Sequence, residues 1–162
     1  RYLLDHDHNS KVTVEQEIAA LMLYLDIEKV RFGSRLEIAL SIEETVKDGL
    51  MPSLLLQPIV ENSMKHAIAK SEEGGTIHIN VSQAHNRLII ELTDSGTDIY
   101  TNIDDLKVKE TRGIGLNNIA TRLNTIYPGT HSFRYGLVER NCFETRIEIP
   151  FELAPTAPQS DS

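Results

Sequence analysis

The chain has 162 residues, 40% of them hydrophobic and 25% charged, with a net charge of −8 and a single cysteine, Cys142. That length suits one soluble domain with a core large enough to fold without staples. One cysteine excludes an internal disulfide, no apolar run reaches the roughly 18 residues of a membrane span, and no signal peptide is visible. An acidic chain without a basic cluster also argues against nucleic-acid binding. The chain begins at Arg1 rather than Met and so reads as a piece of a longer protein.

Residues 1–12 are polar after a short apolar start at Tyr2, Leu3 and Leu4, and read as the end of an upstream helix followed by a linker. Thr13 and Gln16 form a capping-box pattern. Val14, Ile18, Leu21 and Leu25 then recur at helical spacing, which predicts a helix over 14–32 ended by Gly33. Leu36, Ile38, Leu40 and Ile42 alternate as in a strand. Pro52 suits the first turn of a helix, predicted over 53–70, whose opening turn Pro58 would weaken. Ile77, Ile79 and Val81, then Leu88, Ile90 and Leu92, predict two antiparallel strands turning at His85–Asn86.

The second of these strands runs into Asp94-Ser95-Gly96. Residues 97–112 are polar and aperiodic, and read as a mobile functional loop. Gly113-Ile114-Gly115 then opens a helix with an apolar stripe at Leu116, Ile119, Leu123 and Ile126, ended by Pro128–Gly129. Residues 131–138 and 143–151 predict a closing hairpin, and the Pro- and Ser-containing tail from 152 reads as disordered.

Three segments carry chemistry. On the helix over 53–70, Glu61, Asn62, Lys65 and His66 share the polar face, with Glu61 stacked over Lys65 and Asn62 over His66. A solvated face with one ion pair would explain Glu61 and Lys65, but Asn is a mediocre helix former and its amide oxygen suits Mg²⁺. Asp94 at a strand end is either a plain turn residue or a carboxylate that accepts from an adenine amino group. Gly113 and Gly115 before a helix are either a glycine turn or a phosphate cradle.

In this order the three segments resemble the boxes of the GHKL ATPase superfamily. Glu61-Asn62 with Lys65 and His66 matches the N box, Asp94-Ser-Gly96 the first glycine box, and Gly113-Ile-Gly115-Leu116 the second. Tyr24-Leu-Asp-Ile-Glu-Lys-Val-Arg-Phe32, Pro52-Ser-Leu-Leu-Leu-Gln-Pro-Ile-Val-Glu-Asn62 and Gly113-Ile-Gly-Leu-Asn-Asn-Ile-Ala-Thr-Arg-Leu123 narrow the likeness to LytS-like sensor histidine kinases, over residues 13–151.

The resemblance implies an α/β two-layer sandwich of the Bergerat type, with helices on one face of a mixed, mostly antiparallel sheet. It implies ATP and Mg²⁺ as ligands. Asn62 would hold the metal, Asp94 would read adenine and Gly96 would let the backbone approach the base. Gly113, Gly115 and Leu116 would cradle the nucleotide, with Thr145 beside it. Glu61 would orient or deprotonate the attacking group, Lys65 or His66 would neutralise phosphate, and residues 97–112 would form a lid.

It further implies a response-regulator partner of the LytTR-associated kind, and a full-length homodimer in the membrane. The isolated domain would be cytoplasmic and monomeric, with no membrane contact of its own. The phospho-acceptor histidine would lie upstream. His6 and His8 are poor candidates for it, and His78, His85 and His131 take no role.

Two departures stand out. Asp98 replaces the second glycine of the first box, and Glu144 replaces the glycine before Thr145, where it could crowd the base pocket. They keep open a degenerate, partner-binding pseudokinase. A serine kinase of the same superfamily is a further alternative.

Overall fold

The computed structural model describes residues 10–96, 105–139 and 141–155. Five strands form one sheet: β2 (Leu36–Ile42), β4 (Gly75–Ala84), β5 (Arg87–Gly96), β6 (Ser132–Glu139) and β7 (Cys142–Pro150). Their order is β2-β4-β5-β7-β6. Only the β2–β4 pair is parallel. The mixed, mostly antiparallel sheet expected from the sequence is therefore present.

Side-chain alternation assigns the two faces of the sheet. Ile77, Ile79 and Val81 of β4, Leu88, Ile90 and Leu92 of β5, and Phe143, Ile147 and Ile149 of β7 are all buried. Three helices supply the facing layer: α1 (Val14–Phe32) through Leu21 and Leu25, α2 (Leu56–Ser63) through Leu56, Ile59 and Val60, and α3 (Asp105–Ile126) through Leu116, Ile119 and Leu123. The opposite face is polar, where Arg146 bridges Glu91 and Glu148.

The α1 capping box forms as the sequence predicts. The Gln16 N–H donates to Thr13 Oγ1 at 3.1 Å, and the Thr13 N–H donates to Gln16 Oε1 at 2.9 Å. Gly33 ends the helix with φ 59°, a left-handed value that glycine tolerates without a Cβ clash.

The structure departs from the sequence reading in four places. Residues 11–13 form a short strand, β1, paired with β3 (Leu50–Pro52), so Lys11 and Val12 belong to the folded domain rather than to a linker. Pro52 accordingly ends a strand instead of opening a helix, and α2 begins only at Leu56. Glu152 and Leu153, read from the sequence as the start of a disordered tail, instead belong to this same corner: the Leu50 N–H donates to Glu152 O at 2.8 Å, Glu152 pairs with Lys11 Nζ at 2.9 Å, and Leu153 bridges Gly49.

The third departure is a π-helical turn, Met64–Ile68, which replaces the regular second half of the expected helix. The Ala69 N–H reaches the Met64 carbonyl, five residues back, at 2.9 Å. Such insertions recur at functional sites because they re-aim side chains.

The fourth departure is the largest. Residues 105–112, read as loop, are the first turns of α3, so Gly113 and Gly115 lie in the helix interior and do not open it. Val108 packs on Phe143, and Asp105 Oδ1 accepts the Leu137 N–H at 2.8 Å. These tertiary contacts outweigh a local sequence with little helical period. The rest of the expected lid, residues 97–104 with Asp98, lies outside the described residues, as do His6, His8 and 156–162.

Candidate functional site

Asp94 stands on the inner face of β5, opposite Ile77 and Phe143, and is 1% exposed. Burying a carboxylate there requires partners. Ser63, the last residue of α2, donates its hydroxyl to Asp94 Oδ2 at 2.7 Å. Arg112 of α3 supplies the counter-charge through a two-pronged pair, Nη1 to Oδ1 at 2.9 Å and Nη2 to Oδ2 at 2.5 Å. The guanidinium carbon also lies 3.7 Å from the centre of the Phe143 ring, a cation–π contact.

Asn62 is held by the same arginine. Arg112 Nε donates to Asn62 Oδ1 at 2.8 Å, and Asn62 Nδ2 donates to the Arg112 carbonyl at 2.9 Å. One buried residue, 2% exposed, thus engages both side chains that the N box and the first glycine box single out. Sequence reading assigned neither Arg112 nor Ser63 a role. A buried arginine leaves no periodic signal in a polar segment.

Beside this cluster, between α2 and α3, opens a cleft of about 400 Å³. Glu61, Asn62, Lys65, His66, Thr111 and Gly115 line it. Its size is within the roughly 300–1,000 Å³ usual for small-molecule sites. Glu61 does not pair with Lys65 as helical stacking suggested. It accepts instead from Gln57 Nε2 at 3.1 Å, and the π-helical turn starts directly before Lys65.

The His66 pKa is lowered to about 4, chiefly by burial, then by the positive charges of Arg112, Lys70 and Lys65, with Asp94 opposing. The imidazole is therefore neutral at pH 7 and can offer a ligand one N–H donor but no charge.

The glycines act as spacers. A Cβ on Gly115 would lie 3.0 Å from Asn62 Nδ2, and one on Gly113 would lie 2.6 Å from the Tyr135 hydroxyl. Their absence of side chain lets α3 approach α2 and β6 closely. Leu116 is fully buried in the core, while Thr145 is buried on the inner face of β7. Gly96 closes β5 opposite Gly75.

Glu144 is a correction. It pairs in register with Thr93 and Gly136, so it projects from the sheet face opposite to the one bearing Asp94, Phe143 and Thr145. It cannot crowd a pocket on that inner face.

The carboxylate of Glu17 on α1, only 3% exposed, is a further positioning group. Its Oε1 accepts the Leu54 N–H at 2.8 Å, and its Oε2 accepts those of Leu55 and Leu56 at 2.7 and 3.2 Å. The α2 helix has no capping side chain of its own, so Glu17 closes the free N–H groups of the helix that carries Asn62.

Asn62 Oδ1 is a hard oxygen donor that fits Mg²⁺, and Asp94 fits an amino donor. Arg112 engages both of them in this structure. Among the described residues no three His, Cys, Asp or Glu converge as a metal site.

No protein-family model matches the chain. The sensor histidine kinase YpdA of Escherichia coli is 32% identical over 164 residues, which cover 99% of this chain and 28% of that protein. The chain is a histidine-kinase catalytic domain of the GHKL type. The sensor protein LytS of Enterococcus faecalis is 27% identical to this kinase domain over 147 residues, 87% of the chain and 25% of LytS. The domain thus spans about a quarter of the length of these relatives.

Two solved structures share its fold. Full-length ShkA in complex with AMPPNP has a TM-score of 0.60 at 20% identity, over 90% of this chain and 31% of that one. Histidine kinase ThkA in complex with the response regulator protein TrrA has a TM-score of 0.54 at 13% identity, over 88% and 42%. No helix among the described residues of the kinase domain is long and apolar enough to cross a membrane.

Proposed function

We propose that this domain binds ATP with Mg²⁺ in the cleft between α2 and α3, and directs its γ-phosphoryl group to a histidine of the longer protein for relay to a response regulator. The carrying observation is the convergence of Asn62, Asp94, Glu61, Lys65 and His66, from separate elements, on one cleft and the buried cluster beside it. The relatives' designation as sensor kinases, the AMPPNP bound to ShkA and the regulator bound to ThkA support the same reading.

In this reading Asp94 accepts the adenine amino group, with Gly96 and Thr145 beside the base. Asn62 would hold the metal, which would supply positive charge to the phosphates. Gly113, Gly115 and Leu116 bring the α3 backbone to the nucleotide. Lys65 supplies positive charge to the phosphates. His66, uncharged in the empty cleft, is placed to donate a hydrogen bond to them. Glu61, exposed at the cleft mouth, orients the incoming histidine or takes its proton. Phosphoryl transfer depends mainly on such positioning and charge.

The partner would be a regulator of the LytTR-associated kind. The longer protein would be a membrane-anchored homodimer, with this domain monomeric on the cytoplasmic side. Sedimentation of the isolated domain as a stable dimer would contradict the last point.

Calorimetric titration of ATP, with and without Mg²⁺, tests the core of the reading. Wild type should bind, Asp94→Asn should lose binding, and Asn62→Ala should lose the Mg²⁺ dependence. If neither the folded wild type nor a folded variant lacking the Arg112 guanidinium binds nucleotide up to the millimolar range, about −4 kcal/mol, the pseudokinase alternative takes its place.

A further inference from the structure

We propose that Arg112 is a built-in competitor of the nucleotide: it occupies Asp94 and Asn62 in the empty domain and must leave before a purine can bind. This rests on the reading of the cleft as a nucleotide site.

The chemistry of the contact is the basis. Arg112 presents a planar group whose N–H donors meet both oxygens of Asp94, the acceptor that an exocyclic amino group would need. The guanidinium lies over Phe143 as a flat ring would. Its Nε takes Asn62 Oδ1, the oxygen available to a metal, and its carbonyl takes the Asn62 amide. With Arg112 seated, both Asp94 oxygens and Asn62 Oδ1 already accept its N–H groups. Occupation by Arg112 and by nucleotide is mutually exclusive.

The way out is also built into the fold. Arg112 is carried by the first turns of α3, where Leu106, Lys107, Glu110 and Thr111 are exposed and Val108 alone is a buried apolar anchor. Directly after it stand Gly113 and Gly115, each costing the helix interior roughly 1 kcal/mol relative to alanine. The helix is therefore weakest just C-terminal to its key residue. Unwinding 105–113 releases the arginine while Leu116, Ile119 and Leu123 stay seated in the core.

A site whose competent form is the minor one binds with an affinity reduced by that fraction. With minor states commonly populated at roughly 0.1–10%, removing the competitor should tighten binding roughly 10- to 1,000-fold.

The experiment has two arms. In the first, amide hydrogen exchange of the wild-type chain is followed with and without AMPPNP and Mg²⁺. Nucleotide should speed exchange at 107–113 while protecting α2. Unchanged or slower exchange at 107–113 in the nucleotide-saturated protein would overturn the proposal. In the second, AMPPNP is titrated into wild type, Arg112→Gln and Arg112→Lys, with melting curves to establish folding.

Arg112→Gln should bind more tightly by the stated factor. Arg112→Lys should fall between, because a single ammonium cannot make the fork. Equal or weaker binding by folded Arg112→Gln would refute the competitor. Binding by Arg112→Gln alone would support it. If neither wild type nor folded Arg112→Gln binds, the nucleotide-site reading fails and the competitor with it. Should Arg112→Gln not fold, the exchange arm decides.

Discussion

Glu17 and Leu55 belong to different segments, yet the Glu17 carboxylate accepts the Leu55 backbone N–H at 2.7 Å and thereby caps a helix it is not part of. Two neighbouring N–H groups, of Leu54 and Leu56, complete the fork. Leu54 itself has φ 57°, an unfavourable value for a residue with a Cβ that this fork helps to hold.

Glu17→Ala should therefore cost about 1–3 kcal/mol, because it strands buried backbone donors at a helix start. Glu17→Gln keeps an acceptor but loses the charge at the helix N-terminus and should cost less. Urea unfolding of the three proteins checks the ranking. An Ala variant as stable as wild type would show that water replaces the carboxylate.

The Arg112–Asp94 pair predicts a pronounced non-additivity. Asp94→Leu alone removes the carboxylate that pairs with the buried guanidinium and should cost about 3–5 kcal/mol. Adding Arg112→Met removes the buried charge and should recover most of that loss. A double-mutant cycle in urea measures the coupling.

For His66 the direction of the pH effect follows from its lowered pKa of about 4. Its pKa in the unfolded chain is the higher one, so the unfolded state takes up the proton first as pH falls. Its contribution to stability is complete above about pH 6.5 and is lost progressively toward pH 4. His66→Gln should flatten that part of the stability–pH curve. Imidazole titration by NMR should give a midpoint near 4 in wild type and a higher one in Arg112→Gln, since the Arg112 charge is one of its causes.

Gly113→Ala sets helix propensity against a clash. Alanine favours the helix by roughly 1 kcal/mol, but its Cβ would lie 2.6 Å from the Tyr135 hydroxyl. The substitution should destabilise the wild type and stabilise Tyr135→Phe, where the obstructing oxygen is gone. Thermal melts of the four proteins test the reversal of sign.

Much of this architecture was legible because its signals are periodic. Alternation in 77–81 and 88–92 located two central strands, since each buries every second side chain against the helices, and 143–151 read as one arm of a closing hairpin. Thr13 and Gln16 announced α1 by local chemistry. Of the residues that line the cleft, Glu61, Asn62, Lys65, His66 and Gly115 stood in the motifs, whereas Thr111 lay in the segment read as loop. What escaped was made by contacts distant in sequence. The β1–β3 ribbon is three residues long on each side and has no pattern of its own. Residues 105–112 are helical because of Val108, Asp105 and Arg112, whose partners lie on other elements. Glu144 was misjudged because a motif position does not say which sheet face it occupies.

The β1–β3 ribbon has a mechanical consequence. The strand that leads into α1 is hydrogen-bonded to the strand that precedes α2, and Ser10 O also accepts the Ser53 N–H at 2.9 Å. A displacement of the backbone at Lys11 is therefore felt at two helices at once. One of them ends in Asn62 and Ser63, so a small shear at this corner is geared to the floor of the cleft.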